Sequence, residues 1–309
     1  MKLSAMIRDA KPDSSLKRLL HFRLSKWAKQ RSHKTLHASD LTQEDEFCPR
    51  EFALLDVTKK KPKDEFHSTA LATTFADGHD KSKRLREDWL DGLAVGDWKC
   101  KACGDEVLFS TRPKTTAADH RCIWQYNEIP FVSSVTDVSC SPDILVKLPG
   151  REKLVVVEVK ILDKDYFRDL KAPMAEHRWR TNLYLRVISE STHPQKDLID
   201  TQSGVVLYIG RCFGLKDTEV KSWGIKDAPF SPFKEYNVER NDADTVYISN
   251  KALALKVARA GAKTPCGICP SVLAQRAQKC PVVKECFSGN FPGSITWKAP
   301  DGKPVHNVG

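Results

Sequence analysis

The sequence predicts an α/β protein, on three observations. Stretches of helical periodicity at 14–30, 44–57, 70–93 and 164–190 are interleaved with strand-like apolar runs at 128–138, 141–160 and 203–211. The run at 141–160, "SPDILVKLPGREKLVVVEVK", carries a turn signal at its middle, so it reads as a hairpin. With 40% hydrophobic and 29% charged residues the chain can build a core and still favour water. At 309 residues it has room for about two domains, or one large domain with insertions.

From the N-terminus, "SSLKRLLHFRLSKWAKQ" reads as a helix capped by Ser14 or Ser15, with Leu16, Leu20, Leu24 and Trp27 as its apolar stripe. Residues 1–40 hold ten Lys or Arg against three Asp, and the whole chain carries +10. Such a basic excess is common in polyanion binders, although a docking helix with a solvated face explains the segment as well. No apolar run is long enough to cross a bilayer. The start lacks the apolar core of a secretory signal, so the reading is cytoplasmic; a basic, amphipathic organellar presequence is the alternative.

Pro49 is expected near the start of the helix in 44–57. "TKKKPKDEF" then reads as an exposed loop, followed by a helix over 70–93. From Trp98 to Cys122 the pattern is short and polar, with paired cysteines, like a metal-held knuckle inserted in the main domain. "HRWRTNLYLRVI" is the clearest amphipathic part of 164–190, "SGVVLYIGR" is a strand, 238–260 contains an Ala/Leu/Val-rich helix, and the Gly/Pro-rich tail is irregular.

Three charges sit oddly in the hairpin. If Pro149–Glu152 form the loop and Leu148 pairs with Lys153, then Val146 pairs with Val155 and Asp143 with Glu158. Opposed residues have Cβ atoms about 4.5–5.5 Å apart, and two like charges there repel unless a cation lies between them. Lys160 shares the face of Glu158. Two carboxylates at that distance suit Mg²⁺ or Mn²⁺, with the lysine holding a water or offsetting phosphate charge. The plain alternative is a solvent-facing hairpin with an ordinary Glu–Lys pair.

Ten cysteines are many for a reducing compartment, and their grouping favours metal thiolates over disulfides. "WKCKACG" is a zinc-knuckle half; Cys100, Cys103, His120 and Cys122 are the expected ligands, with Cys140 in reserve. "CGICPSVLAQRAQKCPVVKECF" groups Cys266, Cys269, Cys280 and Cys286 near the other end.

"PD" followed by "EVK" resembles the PD-(D/E)xK nuclease superfamily, and "ASDLTQEDEFCPREFAL" resembles the opening of its RecB-like members that carry an iron–sulfur cluster. Those include CRISPR-associated RecB-like exonucleases, AddB-type nucleases and phage-encoded relatives. The resemblance runs in order through 38–54, 75–90, 98–131, 141–160, 177–185 and 266–287. It implies a restriction-endonuclease-like α/β core, with a central mixed β-sheet flanked by helices and a small zinc-knuckle insertion. It implies Asp143 and Glu158 as ligands of Mg²⁺ or Mn²⁺ and Lys160 as the catalytic lysine. It also implies a 4Fe–4S cluster on Cys48, Cys269, Cys280 and Cys286, with Cys266 competing for the place of Cys269. A zinc site made from the C-terminal cysteines alone is the alternative.

Two positions depart from the family pattern. Ser82 stands where a metal-binding His is expected; either His79, one turn earlier, substitutes, or carboxylates and water suffice. Arg180 stands where a Gln is expected four residues before Tyr184, and the two are candidates for contact with the DNA backbone. The expected layout is a basic helical segment at 1–37, a nuclease domain at 38–287 and an irregular tail at 288–309. Within the domain, 98–126 is the knuckle and 264–287 the cluster-binding end. The implied activity is hydrolysis of DNA at ends or in single strands, in phage or bacterial recombination, repair or replication, with partner proteins of those processes. The rivals are an impaired nucleic-acid-binding module, a CRISPR-adaptation nuclease inside a larger complex, and a zinc-held scaffold.

Overall fold

The computed structural model describes residues 35–42, 47–60, 69–114, 122–211, 232–261, 264–290 and 293–295. The expected N-terminal helix, most of the 58–66 loop, His120 and the end of the tail lie outside the described residues. The chain folds as mixed α/β around a central mixed sheet flanked by helices.

The sheet is built on β8 (Leu154–Asp163). Its antiparallel neighbour is β7 (Ile144–Val146), which continues through β2 (Ala94–Cys100) to β3 (Glu106–Ser110), with β4 (Trp124–Asn127) also pairing β2. On its other side β8 runs parallel to β9 (Ile199–Arg211), and β10 (Phe233–Glu239) closes that edge antiparallel to β9. The hairpin register is the expected one: Val146 faces Val155 and Ile144 faces Val157. The turn is looser than expected: the β7–β8 ladder stops at the Val146–Val155 pair, short of Leu148 and Lys153. Gly150, at φ +78°, takes the left-handed conformation that the turn requires.

Parallel strands need a crossover, and here it is helical. The segment 164–190 is two helices, α4 (Lys164–Asp169) and α5 (Ala175–Glu190), because Pro173 interrupts the pattern just before α5 begins. Two faces of β8 feed two cores. Val156 packs with Leu183 and Leu185 of α5, whereas Val155, Val157 and Val159 pack with Leu85. Glu158 and Lys160 share parity with Val156, so they point to the α5 face. Gly204 lets α5 approach: a Cβ there would lie 2.9 Å from Thr181 Cγ2 and 3.1 Å from Val156 O.

The other face is covered by α3 (Thr69–Arg84), where a Cβ on Gly78 would meet Ile161 Cδ1 at 3.9 Å. This helix does not run to residue 93; it ends in a π-type turn, Leu85–Trp89, with Leu90 N–H bonded to Leu85 O. The 128–138 run holds two short strands, β5 (Phe131–Val132) and β6 (Val138–Cys140), and β1 (Leu36–His37) pairs parallel with β6. The short helix α1 (Ala38–Leu41) follows β1. Cys48 caps α2 (Pro49–Thr58), with Pro49 at its first position as expected. Buried Lys251 of α6 (Asp242–Gly261) donates to Phe47 O at 3.0 Å, tying the start of α2 to the late helix. Two short helices, α7 (Gln275–Lys279) and α8 (Val283–Cys286), and the strands β11 (Thr264–Pro265) and β12 (Gly293–Ile295) complete the described chain. Among the described residues no helix is long and apolar enough to cross a membrane.

Candidate active site

Asp143 lies just before β7 and Glu158 in the middle of β8, one step beyond the Ile144–Val157 pair. Val159 N–H donates to Asp143 Oδ2 at 2.7 Å, which fixes the Asp143 carboxyl against the strand. Glu158 is 1% exposed. Its Oε1 is paired with Lys160 Nζ at 2.5 Å and Arg180 Nη1 at 3.2 Å. Its Oε2 is buried with no hydrogen-bond partner, and the Asp143 carboxyl lies within reach of the Glu158 carboxyl, with which it can only share a proton or a cation.

The electrostatics follow from that layout. Burial and then the Glu158 charge push the Asp143 carboxyl up to about 8, against a smaller opposing pull from Lys160. Burial would raise Glu158 as well, but Lys160 and Arg180 outweigh it and hold that carboxyl below its ordinary value. Glu158 is therefore the ionised member of the pair. A carboxylate this deep would cost several kcal/mol without the two cations, Lys160 and Arg180, that pair with it.

Arg180 is fixed on both sides, its Nε bonding Thr42 Oγ1 at 3.1 Å while Nη1 reaches Glu158. It faces into the carboxylate pair, with its side chain 16% exposed. Tyr184, one turn on, is buried at 6% in the core; burial, Glu158 and Asp143 push its phenol well above the usual range. Sequence pattern placed these two residues on one helical face, and the fold turns that face inward.

Two further residues were not singled out in the sequence. Glu128, between β4 and β5, pairs with Arg86 at 2.8 Å, and Arg86 also reaches Asp143 O at 3.4 Å. Burial raises the Glu128 carboxyl, opposed chiefly by Arg86; Glu158 and His79 are also close enough to be felt. Arg86 sits in the π-type turn with its guanidinium over the Tyr126 ring, 5.0 Å from the centroid. Such turns recur at functional sites. Only the π-type turn, which a sequence period of 3.6 does not reveal, would have pointed to Arg86. His79 is exposed on α3, the helix covering the opposite face of β8, and half-buried Ser82 follows one turn later.

The knuckle cysteines converge. Cys100 ends β2, Cys103 follows in a turn closed by Gly104 at φ +82°, and Cys122 precedes β4. Their sulfurs lie within 4.8 Å of one another, the one such group among the described residues. That spacing and three-thiol donor set fit a tetrahedral metal such as zinc. The backbone N–H of Cys103 holds the Cys100 thiol down to about 6, so a thiolate is available near neutral pH. Cys140 is in the core across from Phe131, away from the other three.

Cys48, Cys269, Cys280 and Cys286 line one small cavity, together with Glu51 and Arg276. Cys266 is absent from the lining and packs instead against Ala254. Arg50, 2% exposed, spans the gap between α2 and the C-terminal segment. It donates to Cys286 Sγ at 3.1 Å, Cys286 O at 2.8 Å and Pro265 O at 3.2 Å.

No protein-family model and no curated protein matches the sequence. Two solved structures share part of the layout. SSO0001 is 13% identical, covers 79% of this chain and 86% of its own, and superposes with a TM-score of 0.36. LHK-Exo in complex with dAMP is 14% identical, covers 80% of this chain and 98% of its own, and scores 0.39. Similarity at this level says nothing of activity, which has to come from the residues themselves.

Proposed function

We propose that this chain is a metal-dependent deoxyribonuclease of the RecB-like PD-(D/E)xK type, a restriction-endonuclease-like core spanning 38–287. The observation that carries the reading is Glu158 Oε2: a buried carboxylate oxygen without a donor, set against a second carboxyl, with Lys160 on the opposite oxygen. That donor set fits a hard divalent ion such as Mg²⁺ or Mn²⁺, held by Asp143 and Glu158. A divalent ion bound there would supply Lewis acidity toward water and a phosphate oxygen. Lys160, 23% exposed beside Glu158, orients the attacking water and offsets the charge gathering on the phosphodiester. Arg180 and Thr42 hold Glu158 in place from the other side. Glu128, clamped by Arg86, adds a third carboxylate at the rim, and His79 is close enough to be felt there as the imidazole candidate for a metal.

The cysteine sites are structural in this reading. Cys100, Cys103 and Cys122 hold Zn²⁺, with His120 as the fourth ligand. Cys48, Cys269, Cys280 and Cys286 hold a 4Fe–4S cluster that staples α2 to the C-terminal segment. No three of these four sulfurs come within 4.8 Å of one another, which suits a cluster with one thiolate per iron better than a single zinc ion. The substrate is DNA at ends or in single strands, in phage or bacterial recombination, repair or replication.

The test is a substrate survey of the purified protein with linear duplex, single-stranded and covalently closed DNA, and with RNA, in Mg²⁺, Mn²⁺ or EDTA. The expected result is degradation of linear and single-stranded DNA that EDTA abolishes. Binding of all of these with cleavage of none in either metal would favour a non-catalytic module.

A further inference from the structure

Three carboxylates, Asp143, Glu158 and Glu128, are matched at the site by three cations, Lys160, Arg180 and Arg86. Three cations at least offset the carboxylates before any divalent ion arrives, and an ion adds two positive charges beside guanidinium groups that cannot lose theirs. Arg86 is committed to Glu128 at the rim, but Arg180 sits on the same carboxylate that would hold the ion. It is also anchored by Thr42, so it cannot swing clear without breaking a second bond.

We propose that Arg180 makes divalent-ion binding at Asp143 and Glu158 conditional on DNA. This rests on the nuclease reading above. The guanidinium competes with the ion for Glu158 and repels it, and a backbone phosphate restores the charge balance. Ion and DNA then bind cooperatively: each raises the affinity of the other by the same factor. In this chain the loaded site assembles on the substrate, which limits idle metal binding.

Manganese affinity measured directly by electron paramagnetic resonance, with no turnover required, tests the idea. Wild type, Arg180→Gln, Arg180→Lys and Asp143→Asn are titrated with Mn²⁺, alone and with a single-stranded oligonucleotide carrying uncleavable phosphorothioate linkages. Without the oligonucleotide, Arg180→Gln is expected to bind Mn²⁺ roughly tenfold to a hundredfold more tightly than wild type, the usual range of such couplings. With it, the gap closes. Arg180→Lys keeps the charge and is expected to behave like wild type. Unchanged or weaker Mn²⁺ binding by Arg180→Gln alone overturns the proposal and leaves Arg180 as a clamp on Glu158. If wild type binds no more Mn²⁺ than Asp143→Asn, with or without the oligonucleotide, the nuclease reading itself fails and the proposal falls with it.

Discussion

Asp143→Asn should stabilise the metal-free protein at alkaline pH, even though it removes a group on which the proposed activity depends. Asn at this position can still accept the Val159 N–H bond of 2.7 Å, and its amide offers Glu158 Oε2 the donor it lacks. In wild type the Asp143 carboxyl is pushed from 3.8 up to about 8, first by burial and then by Glu158. A raised carboxyl keeps its proton in the folded state while the unfolded chain releases it. Its contribution is therefore most favourable below pH 4 and is lost progressively until pH passes about 8. The gap of about 4 units has a ceiling of about 6 kcal/mol at 1.36 kcal/mol per unit, and solvent access and relaxation bring that to roughly 3 kcal/mol. In a chain of this size that corresponds to a melting-temperature gain of about 6 °C at pH 9 over wild type. Thermal melts by circular dichroism in EDTA, from pH 4 to pH 9, should show the two proteins diverging as pH rises. Added Mn²⁺ should raise wild type at pH 9 and leave the variant unmoved. Parallel pH profiles in EDTA would refute the picture of two opposed carboxylates sharing a buried site.

Other consequences follow from the same contacts. Arg50→Gln strips Cys286 of its guanidinium donor and leaves the carbonyls of Cys286 and Pro265 short of partners, at a cost of about 2–4 kcal/mol in chemical denaturation; the iron-to-protein ratio of anaerobically purified protein should fall with it. Cys103→Ser should remove zinc, measured by elemental analysis, while leaving iron content unchanged, because the knuckle and the four-thiol cavity share no residue. Gly204→Ala forces a methyl group against Thr181 and the Val156 carbonyl, so α5 must shift; a loss of roughly 1–3 kcal/mol is expected in urea denaturation.

The 141–160 hairpin was legible because strand register is arithmetic. A turn signal at Pro149 and Gly150, counted outward, lands on the observed pairing of Val146 with Val155. The convergence of Cys100, Cys103 and Cys122 was legible for a similar reason, since a CxxC spacing folds back on itself in one turn. The choice of Cys269 over Cys266 came from the resemblance rather than from spacing, because neighbouring loop residues differ in direction rather than in type; Cys269 is the one that lines the cavity. The surroundings of Glu158 were harder still. Arg180 is 22 residues away in sequence, and its contact exists only because Gly204 brings α5 down onto the sheet. With Tyr184 it was a candidate for contact with the DNA backbone; the helix is packed on the sheet on one side, and on another Asn182 Oδ1 accepts the N–H of Asn241, just before α6, at 2.8 Å. Arg86 and Glu128 lie in stretches that read as helix and strand, and the π-type turn is what sets Arg86 against both Glu128 and the Asp143 carbonyl.

The most direct measurement is release of label from end-labelled linear DNA by wild type, Glu158→Gln and Lys160→Gln in Mn²⁺, each variant first shown by circular dichroism to be folded. The hairpin geometry predicts metal-dependent cleavage by wild type and a loss of at least about a hundredfold in both variants, on the order of what a single positioned group contributes to catalysis. Cleavage by both variants at the wild-type rate would contradict it and place any activity elsewhere in the chain.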